Sequence, residues 1–297
     1  MVKALVSNIQ RYSTKDGPGI RSTLFLTGCT LRCKWCSNPE LLEDRQVVLH
    51  FRARCHKCGQ CIVKDPSIKM MDDGAAAEKS EHKKELLTIC PFDAFEFNSR
   101  YMDSKEAVEK LLKDQVYYEV SGGGVTISGG EALIHPEFDI EILKELKDHG
   151  IHTCIDTAGN VPLESLKAVL PYTDLILFDL KAYDSVIHKK CTGFGNERIL
   201  QNFRYLCDIN FPMWIRMPVV AGYNDDDEDF RKRLKLTKGI DSIKQIDVLC
   251  YHEYGMGKYK ALGMEYEVKD GFISEEKADR LLAIAAEENI KINLIRE

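Results

Sequence analysis

From Asp103 onward, short apolar strands alternate with amphipathic helices, and this alternation restricts the chain to few folds. Such a pattern builds βαβ units and a parallel sheet. With an earlier strand at 22–27 there are about six units, fewer than the eight of a closed barrel. We therefore predict an α/β fold, an open, partial (β/α)6-type barrel of parallel strands. The later strands are predicted at 125–128, 151–156, 175–180, 213–219, 244–249 and 291–295, and the helices at 105–114, 136–149, 163–170, 197–207, 227–238 and 275–288.

Polar, ionisable or metal-binding residues lie at or just after the end of nearly every predicted strand. Because parallel strands end at one edge of a sheet, we expect these residues to meet at one mouth, the active site. Taken alone, Glu131 or Asp156 is equally well explained as a turn or helix-cap residue. Repetition along the chain favours the functional interpretation. The residues are Cys29, Cys33, Cys36, Gly129, Gly130, Glu131, Asp156, Asp179, Leu180, Lys181, Arg216 and His252.

Cysteine is the informative part of the composition. The chain has eleven cysteines, an odd number, and six of them lie in two tight groups near the N-terminus. The first residues lack a secretory pattern, so we expect a cytoplasmic protein whose clustered cysteines bind metal rather than form disulfides. We interpret the four dispersed cysteines as core residues. They are Cys154, Cys191, Cys207 and Cys250.

The first group, Cys29-x3-Cys33-x2-Cys36, offers three thiolates within one short loop. A structural zinc site normally needs a fourth ligand nearby, and the nearest histidine, His50, lies 14 residues after Cys36. An iron-sulfur cluster held by three cysteines instead leaves one iron free to bind a substrate. Trp35 and Ser37 bracket the last cysteine and are simple loop residues in a zinc or packing interpretation.

The second group lies in a segment of short turns, which we interpret as a ferredoxin-like insert at 50–98 between the two parts of the barrel domain, 1–49 and 99–297. Its spacing, Cys55-x2-Cys58-x2-Cys61, begins a bacterial ferredoxin run, but Asp65 occupies the place of the fourth cysteine. The end of a second run survives as Cys90-Pro91. One auxiliary cluster on Cys55, Cys58, Cys61 and Cys90 is predicted, with zinc on the same thiolates as the alternative.

Charge and hydropathy exclude two partner classes. The formal charge is -6, with 41 basic and 47 acidic residues and no basic tract, so we expect no nucleic-acid partner. Apolar runs such as 175–178 and 219–221 are too short to span a bilayer, so we expect no membrane helix.

In order along the chain, the motifs DGPGIRSTLFLTGCTLRCKWCSNPE, SGGGVTISGGEA, IDTAG, LFDLKAYD, WIRMPVVAGYNDDD and CYHEYGMGKYKALG occur. Together they resemble the activating enzymes of glycyl-radical enzymes, in the radical S-adenosylmethionine (SAM) superfamily. The resemblance implies a [4Fe-4S] cluster on Cys29, Cys33 and Cys36, whose free iron chelates the methionine part of SAM. It also implies SAM contacts. These are Trp35 and Ser37 beside the cluster, Gly129, Gly130 and Glu131 at the amino group, Asp156 and Asp179 near the ribose, sulfonium or a cation, Leu180 between Asp179 and Lys181, Lys181 and Arg216 opposite the carboxylate, and His252 at the nucleoside.

The implied reaction is reductive cleavage of SAM to a 5'-deoxyadenosyl radical, which abstracts a glycine α-hydrogen from a partner glycyl-radical enzyme. A low-potential donor such as flavodoxin or ferredoxin would supply the electron, and we expect a monomer. The competing hypothesis is a radical SAM enzyme acting on a small molecule or peptide. A ferredoxin-like electron carrier would leave the barrel unexplained. Many family members with such an insert carry two clusters there. Because only one cluster is predicted here, a role of the insert in relaying electrons is in doubt.

Overall fold

The N-terminal segment forms an antiparallel strand pair in the computed structural model, which describes residues 1–296. The strands are β1 (Lys3–Ser13) and β2 (Arg21–Leu26), with Ile9 opposite Leu24. Strand β2 confirms the strand predicted at 22–27. Strand β1 was not predicted, because its second half is largely exposed and lacks a sustained apolar alternation.

The segment that follows contains short elements with their own small core. Strands β3 and β6 pair antiparallel, with His50 opposite Phe95, so both ends of the segment meet. The core includes Ile68, Leu86 and Phe95. The elements are β3 (Val48–His50), α1 (Gln60–Lys64), β4 (Met70–Met71), β5 (Gly74–Ala75), α2 (Lys83–Ile89) and β6 (Phe95–Phe97).

The remaining elements confirm the predicted alternation and add β7, α4, α7 and α10, which the sequence pattern did not indicate. They are β7 (Arg100–Asp103), α3 (Ser104–Leu111), α4 (Gln115–Ser121), β8 (Gly124–Gly129), α5 (Pro136–Asp148), β9 (His152–Thr157), α6 (Leu163–Val169), β10 (Leu175–Asp179), α7 (Ser185–Thr192), α8 (Glu197–Asp208), β11 (Met213–Val219), α9 (Asp227–Thr237), β12 (Ile243–Cys250), α10 (Met256–Leu262), α11 (Glu275–Glu287) and β13 (Asn293–Ile295).

One mostly parallel sheet organises the molecule. Its nine strands lie in the order β13-β12-β11-β10-β9-β8-β2-β1-β7. Strand β2 pairs in parallel with β8, and strands β8 to β13 are all parallel to one another. Strand β1 pairs antiparallel with both β2 and β7. The carboxyl ends of the parallel strands therefore lie along one edge, as the sequence predicted.

Side chains alternate across this sheet with a period of two. On one face, Ile127, Ile155, Phe178 and Ile215 are fully buried in a core shared with the helices. Phe178 of β10 packs against Phe203 of α8, with ring centroids 5.7 Å apart. Burying each such side chain stabilises the fold by roughly 1.5–3 kcal/mol. The opposite face is therefore free to carry polar side chains.

Within residues 1–296, no helix is both long enough and apolar enough to cross a membrane.

Candidate active site

A cavity of about 330 Å³ lies at the carboxyl edge of the parallel strands. It brings together most of the residues that the sequence analysis proposed, which are Cys29, Cys33, Trp35, Cys36, Ser37, Gly129, Gly130, Asp156, Asp179, Lys181, Arg216 and His252. Two of the proposed residues, Glu131 and Leu180, are not among the residues that line it.

The three thiols come from a loop that is closed by its own backbone. It leaves β2 at Gly28, whose φ of +89° favours glycine, and the Gly28 N–H donates to the Leu41 carbonyl at 2.7 Å. The Leu31 N–H donates to Cys29 Sγ and the Asn38 N–H to Cys36 Sγ, each at 3.4 Å. Amide-to-sulfur bonds of this kind tune iron-sulfur sites. The loop therefore presents thiols whose sulfurs already have donors.

Burial controls the protonation of these thiols. It raises the pKa of Cys29 and of Cys36 to about 12, and it also raises the pKa of Cys33. In the metal-free chain they are therefore neutral, and a metal must displace their protons to bind.

Gly129 and Gly130 allow a close approach of the chain's own backbone. A Cβ on Gly129 would lie 2.2 Å from the Leu26 carbonyl oxygen, and one on Gly130 would lie 2.1 Å from that of Gly28. The end of β8 can therefore pack against β2 and the cysteine loop only without side chains at these positions. What lines the cavity at these positions is peptide backbone.

Glu131 ties two strand ends together. Its carboxylate is buried and accepts hydrogen bonds from Thr157 Oγ1 at 2.6 Å, the Ala158 N–H at 3.0 Å and the Leu133 N–H at 3.3 Å. Burial raises its pKa to about 7 against these three donors, and the nearby charge of Asp156 adds to the rise. Its observed role is to hold Thr157 and Ala158, which line the cavity.

Leu180 points to the opposite side of the strand end and packs in the main core. Its N–H donates to the Arg216 carbonyl at 2.8 Å, which fixes the flanking Asp179 and Lys181. Leu180 therefore positions its neighbours without lining the cavity.

Charged side chains form one network in the cavity. Arg216 Nη1 lies 3.1 Å from Asp156 Oδ2, and Arg216 Nε lies 4.0 Å from Asp179 Oδ1. Asp179 also forms an ion pair with Lys181 Nζ through its other carboxylate oxygen. Burial works to lower the pKa of Lys181 and of Arg216, but the carboxylates raise both above their ordinary values. Burial raises the pKa of Asp156, and Arg216 opposes that rise.

Asp16 is a cavity residue that sequence reasoning did not select, although it stands in the DGPG motif. The loop before β2 folds back, and Asp16 Oδ2 accepts from Ser13 Oγ and Thr23 Oγ1, both at 2.7 Å. With Asp16, three carboxylates face two cations, so the lining has a formal excess of one negative charge. Such a lining favours a cationic group in the ligand.

Apolar and aromatic side chains complete the lining. Trp35 is buried and packs edge-on against Tyr223, with centroids 6.4 Å apart. The Tyr254 N–H donates to His252 Nδ1 at 3.4 Å, and the two rings lie 4.5 Å apart. Cys250, which we predicted to be a core residue, also lines the cavity. The other residues that sequence reasoning did not select include Phe25, Leu31, Ser128, Thr157, Ala158, Val220, Leu249 and Tyr251.

The three cysteines of the second group and Cys90 line a separate small cavity in the segment 50–98, together with His50. The Lys57 and Ala75 N–H groups each donate to Cys55 Sγ at 3.4 Å. His50 is buried, and within residues 1–296 its Nε2 has no hydrogen-bond partner. Thiol sulfur and imidazole nitrogen are both donor types that bind metals in proteins. The cysteines are Cys55, Cys58, Cys61 and Cys90.

Asp65 stands at the place of the missing ferredoxin cysteine and is satisfied locally. Its carboxylate accepts from Ser67 Oγ at 2.6 Å and from Ser80 Oγ at 2.5 Å.

Over the part of the chain that the structure describes, no three His, Cys, Asp or Glu side chains converge closely enough to hold a single metal ion.

Comparison with known proteins identifies the family. Residues 23–234, from β2 to the last turns of α9, match the Radical SAM superfamily. The chain belongs to the radical SAM superfamily. The match contains Cys29, Cys33 and Cys36 and most of the other cavity residues. Membership of this superfamily implies a [4Fe-4S] cluster and SAM as cofactors.

Relatives of similar length place it among the activating enzymes of glycyl-radical enzymes. The chain is 36% identical to the choline trimethylamine-lyase activating enzyme of Oleidesulfovibrio alaskensis, over 99% of this chain and 98% of that one. It is 35% identical to the trans-4-hydroxy-L-proline dehydratase activating enzyme of Clostridioides difficile, over 93% and 94% of the two chains. A domain of a pyruvate-formate lyase-activating enzyme from Bacteroides vulgatus superposes with a TM-score of 0.50 at 32% identity, covering 59% of this chain and 100% of that one.

Proposed function

We propose that this radical SAM activase binds its cluster on Cys29, Cys33 and Cys36, binds SAM in the adjoining cavity, and abstracts a glycine α-hydrogen from a partner glycyl-radical enzyme. The observation that carries the proposal is the shared cavity: three buried thiols of one loop adjoin a network of carboxylates and cations. When bound on these three cysteines, the cluster would supply the electron for reductive cleavage of SAM, which is chemistry that side chains do not provide.

The side chains of the cavity suit the charges of SAM. Lys181 and Arg216 are held beside carboxylates, so they stay charged and can offset the methionine carboxylate. Asp156 and Asp179 can accept hydrogen bonds from the ribose hydroxyls or face the sulfonium. The net negative lining favours the cationic end of the cofactor. We assign no catalytic acid or base, because the proposed step transfers an electron and a hydrogen atom.

Backbone groups and aromatic side chains complete the proposed SAM site. The exposed peptide edge at Gly129 and Gly130 can contact the amino group. Glu131 contributes by holding Thr157 and Ala158 in the lining. His252, Trp35 and Ser37 line the cavity; His252 would contact the nucleoside, and Trp35 and Ser37 would border the cluster.

We further propose that the sheet curls into a partial barrel around this cavity. Strands β2 and β12 are separated by five neighbour spacings in the sheet order, about 24 Å if the sheet were flat. Phe25 of β2 and Leu249 of β12 nevertheless line the same cavity of about 330 Å³. A curved sheet accounts for both facts, and its open side would admit an extended glycine-containing loop.

For the segment 50–98 we propose a ferredoxin-like module that binds one auxiliary [4Fe-4S] cluster. Its support is the shared cavity of four cysteines, the amide-to-sulfur bonds at Cys55 and the unpartnered His50 Nε2. Zinc on the same thiolates is the alternative to be tested. We also propose a cytoplasmic location, since thiolate clusters require reducing conditions. The protein is proposed to be a monomer and to receive electrons from flavodoxin or ferredoxin.

Isotope transfer tests the proposed reaction. The partner enzyme is prepared with α-deuterated glycine and incubated anaerobically with this protein, SAM and a reductant. Deuterium is expected in 5'-deoxyadenosine, together with a growing glycyl-radical signal on the partner. If the partner kept its deuterium while a small molecule or peptide lost hydrogen, the chain would be a radical SAM enzyme of the competing kind.

A further inference from the structure

Lys258 of α10 reaches across the molecule to the exit of the cysteine loop. Its Nζ donates to Asn38 Oδ1 at 2.6 Å and pairs with Glu40 Oε1 at 2.7 Å, across 220 and 218 residues of sequence. Asn38 lines the cavity and donates its N–H to Cys36 Sγ, but Lys258 does not line the cavity. Lys258 can therefore act on the site only through the loop.

The backbone at the start of α10 packs closely against this loop. A Cβ on Gly255, at the start of the helix, would lie 2.9 Å from the Cys36 carbonyl oxygen and 3.0 Å from Ser37 Cα. Tyr259, one residue after Lys258, is buried beneath the helix. The helix is thus packed in place on both sides of Lys258, and Lys258 extends from it to the side chains of Asn38 and Glu40.

Glu40 extends the connection to the base of the segment 50–98. It is 7% exposed, and its carbonyl oxygen accepts from Asn98 Nδ2 at 2.6 Å. Asn98 Oδ1 in turn accepts from the Val47 N–H at 2.9 Å. One ion pair therefore joins α10, the cysteine loop and both ends of the inserted segment.

Removal of Lys258 would leave the Glu40 carboxylate buried without its partner, which is costly, whereas an exposed ion pair contributes little. We propose that Lys258 is a positioning residue that fixes the loop carrying Cys36, and through Glu40 the base of the insert, in the arrangement that binds SAM. The inference rests on the proposed function. It adds a residue to the SAM-binding machinery that neither touches the ligand nor lines its cavity.

The test uses the reconstituted holoprotein under anaerobic conditions. Lys258→Met is expected to speed amide exchange over residues 30–42 and to raise the KM for SAM, each about tenfold, because a charged hydrogen bond to a buried acceptor is lost. The rate of SAM cleavage at saturation should change less, and the EPR signal of the reduced site cluster with SAM should shift. Lys258→Arg can still donate to both oxygens and should recover most of the wild-type behaviour. Lys260→Met, an exposed position on the same helix, is the matched control.

Wild-type exchange, KM and EPR signal in Lys258→Met would overturn the proposal, as would equal effects in Lys260→Met. If Lys258→Met loses its cluster, Glu40→Gln replaces it, since glutamine keeps the size of the side chain while it removes the charge and exchanges one acceptor oxygen for an amide NH2. Faster exchange over 30–42 in Glu40→Gln supports the proposal, and unchanged exchange overturns it. The exchange measurement needs no turnover, so a wild-type protein that failed to cleave SAM would defeat the proposed function and leave this test intact.

Discussion

Replacing Glu131 with glutamine tests whether a buried carboxylate holds the strand ends together at the cavity. Glu131 is buried behind the lining and accepts three hydrogen bonds, from Thr157 Oγ1 and from the Ala158 and Leu133 N–H groups. Glutamine keeps the shape, but its amide nitrogen cannot accept from one of these donors. The variant should therefore show a KM for SAM raised several-fold, because Thr157 and Ala158 line the cavity.

The pH dependence of stability provides the sharper measurement. Burial raises the pKa of Glu131 from 4.5 to about 7. A raised carboxyl pKa contributes stability that is fully present below the unfolded value and is lost as the pH rises through the folded value. The rise is 7 − 4.5 = 2.5 pH units, and at 1.36 kcal/mol per unit the wild type should lose about 3 kcal/mol between pH 4.5 and 7 from this group alone. Glutamine does not titrate, so the variant lacks this loss.

Urea unfolding of the reconstituted protein, followed anaerobically by circular dichroism between pH 5 and 8, measures the effect. The free energy of unfolding of Glu131→Gln minus that of the wild type should increase with pH up to about 7 and then level off. Glu137→Gln, at an exposed position, controls for the loss of a carboxyl group. Parallel curves for Glu131→Gln and the wild type would refute the reasoning.

Two further substitutions test residues outside the SAM cavity. Asp139 of α5 is fully buried with neither carboxyl oxygen hydrogen-bonded within residues 1–296, and burial raises its pKa well above the usual range. Asp139→Asn should therefore raise the Tm more at pH 8 than at pH 5, and a pH-independent change in Tm would contradict this. In the insert, Cys90→Ala should lower the iron content from about eight to about four per chain while SAM cleavage at the Cys29 cluster persists. Recovery of zinc from the wild-type insert would instead identify a zinc site.

Sequence periodicity predicted the parallel part of the sheet well, because each of those strands buries a full apolar face. Strand β11 was predicted to the residue, and β8 and β10 to within one residue at each end. The pattern missed β1 and β7 because about half of their side chains are exposed, so neither strand shows a sustained apolar alternation. It missed α4 because three of its seven residues are exposed apolar side chains, Val116, Tyr117 and Val120, which give no amphipathic signal.

Long-range contacts explain what the sequence left out of the site. Asp16 precedes β2 by five residues, so its position at a strand end could not be inferred from chain order. It reaches the cavity because the loop folds back until Asp16 accepts from Thr23 within the strand. The contact of Lys258 with Glu40 spans 218 residues and has no local signature. Contacts of this kind depend on the packing of whole elements.

The segment Asp179, Leu180 and Lys181 shows where a stricter use of periodicity would have improved the site prediction. Successive side chains of an extended strand point to opposite faces. Asp179 and Lys181 therefore share one face, and both line the cavity. Leu180 must then point away, and it is 1% exposed in the core on the other side. The motif predicted all three residues in the site because they are adjacent in sequence, although adjacent side chains of a strand point to opposite faces. The same rule, applied to β9, places Asp156 in the cavity and Ile155 in the core, but it fails at the very end of the strand, where Thr157 also lines the cavity.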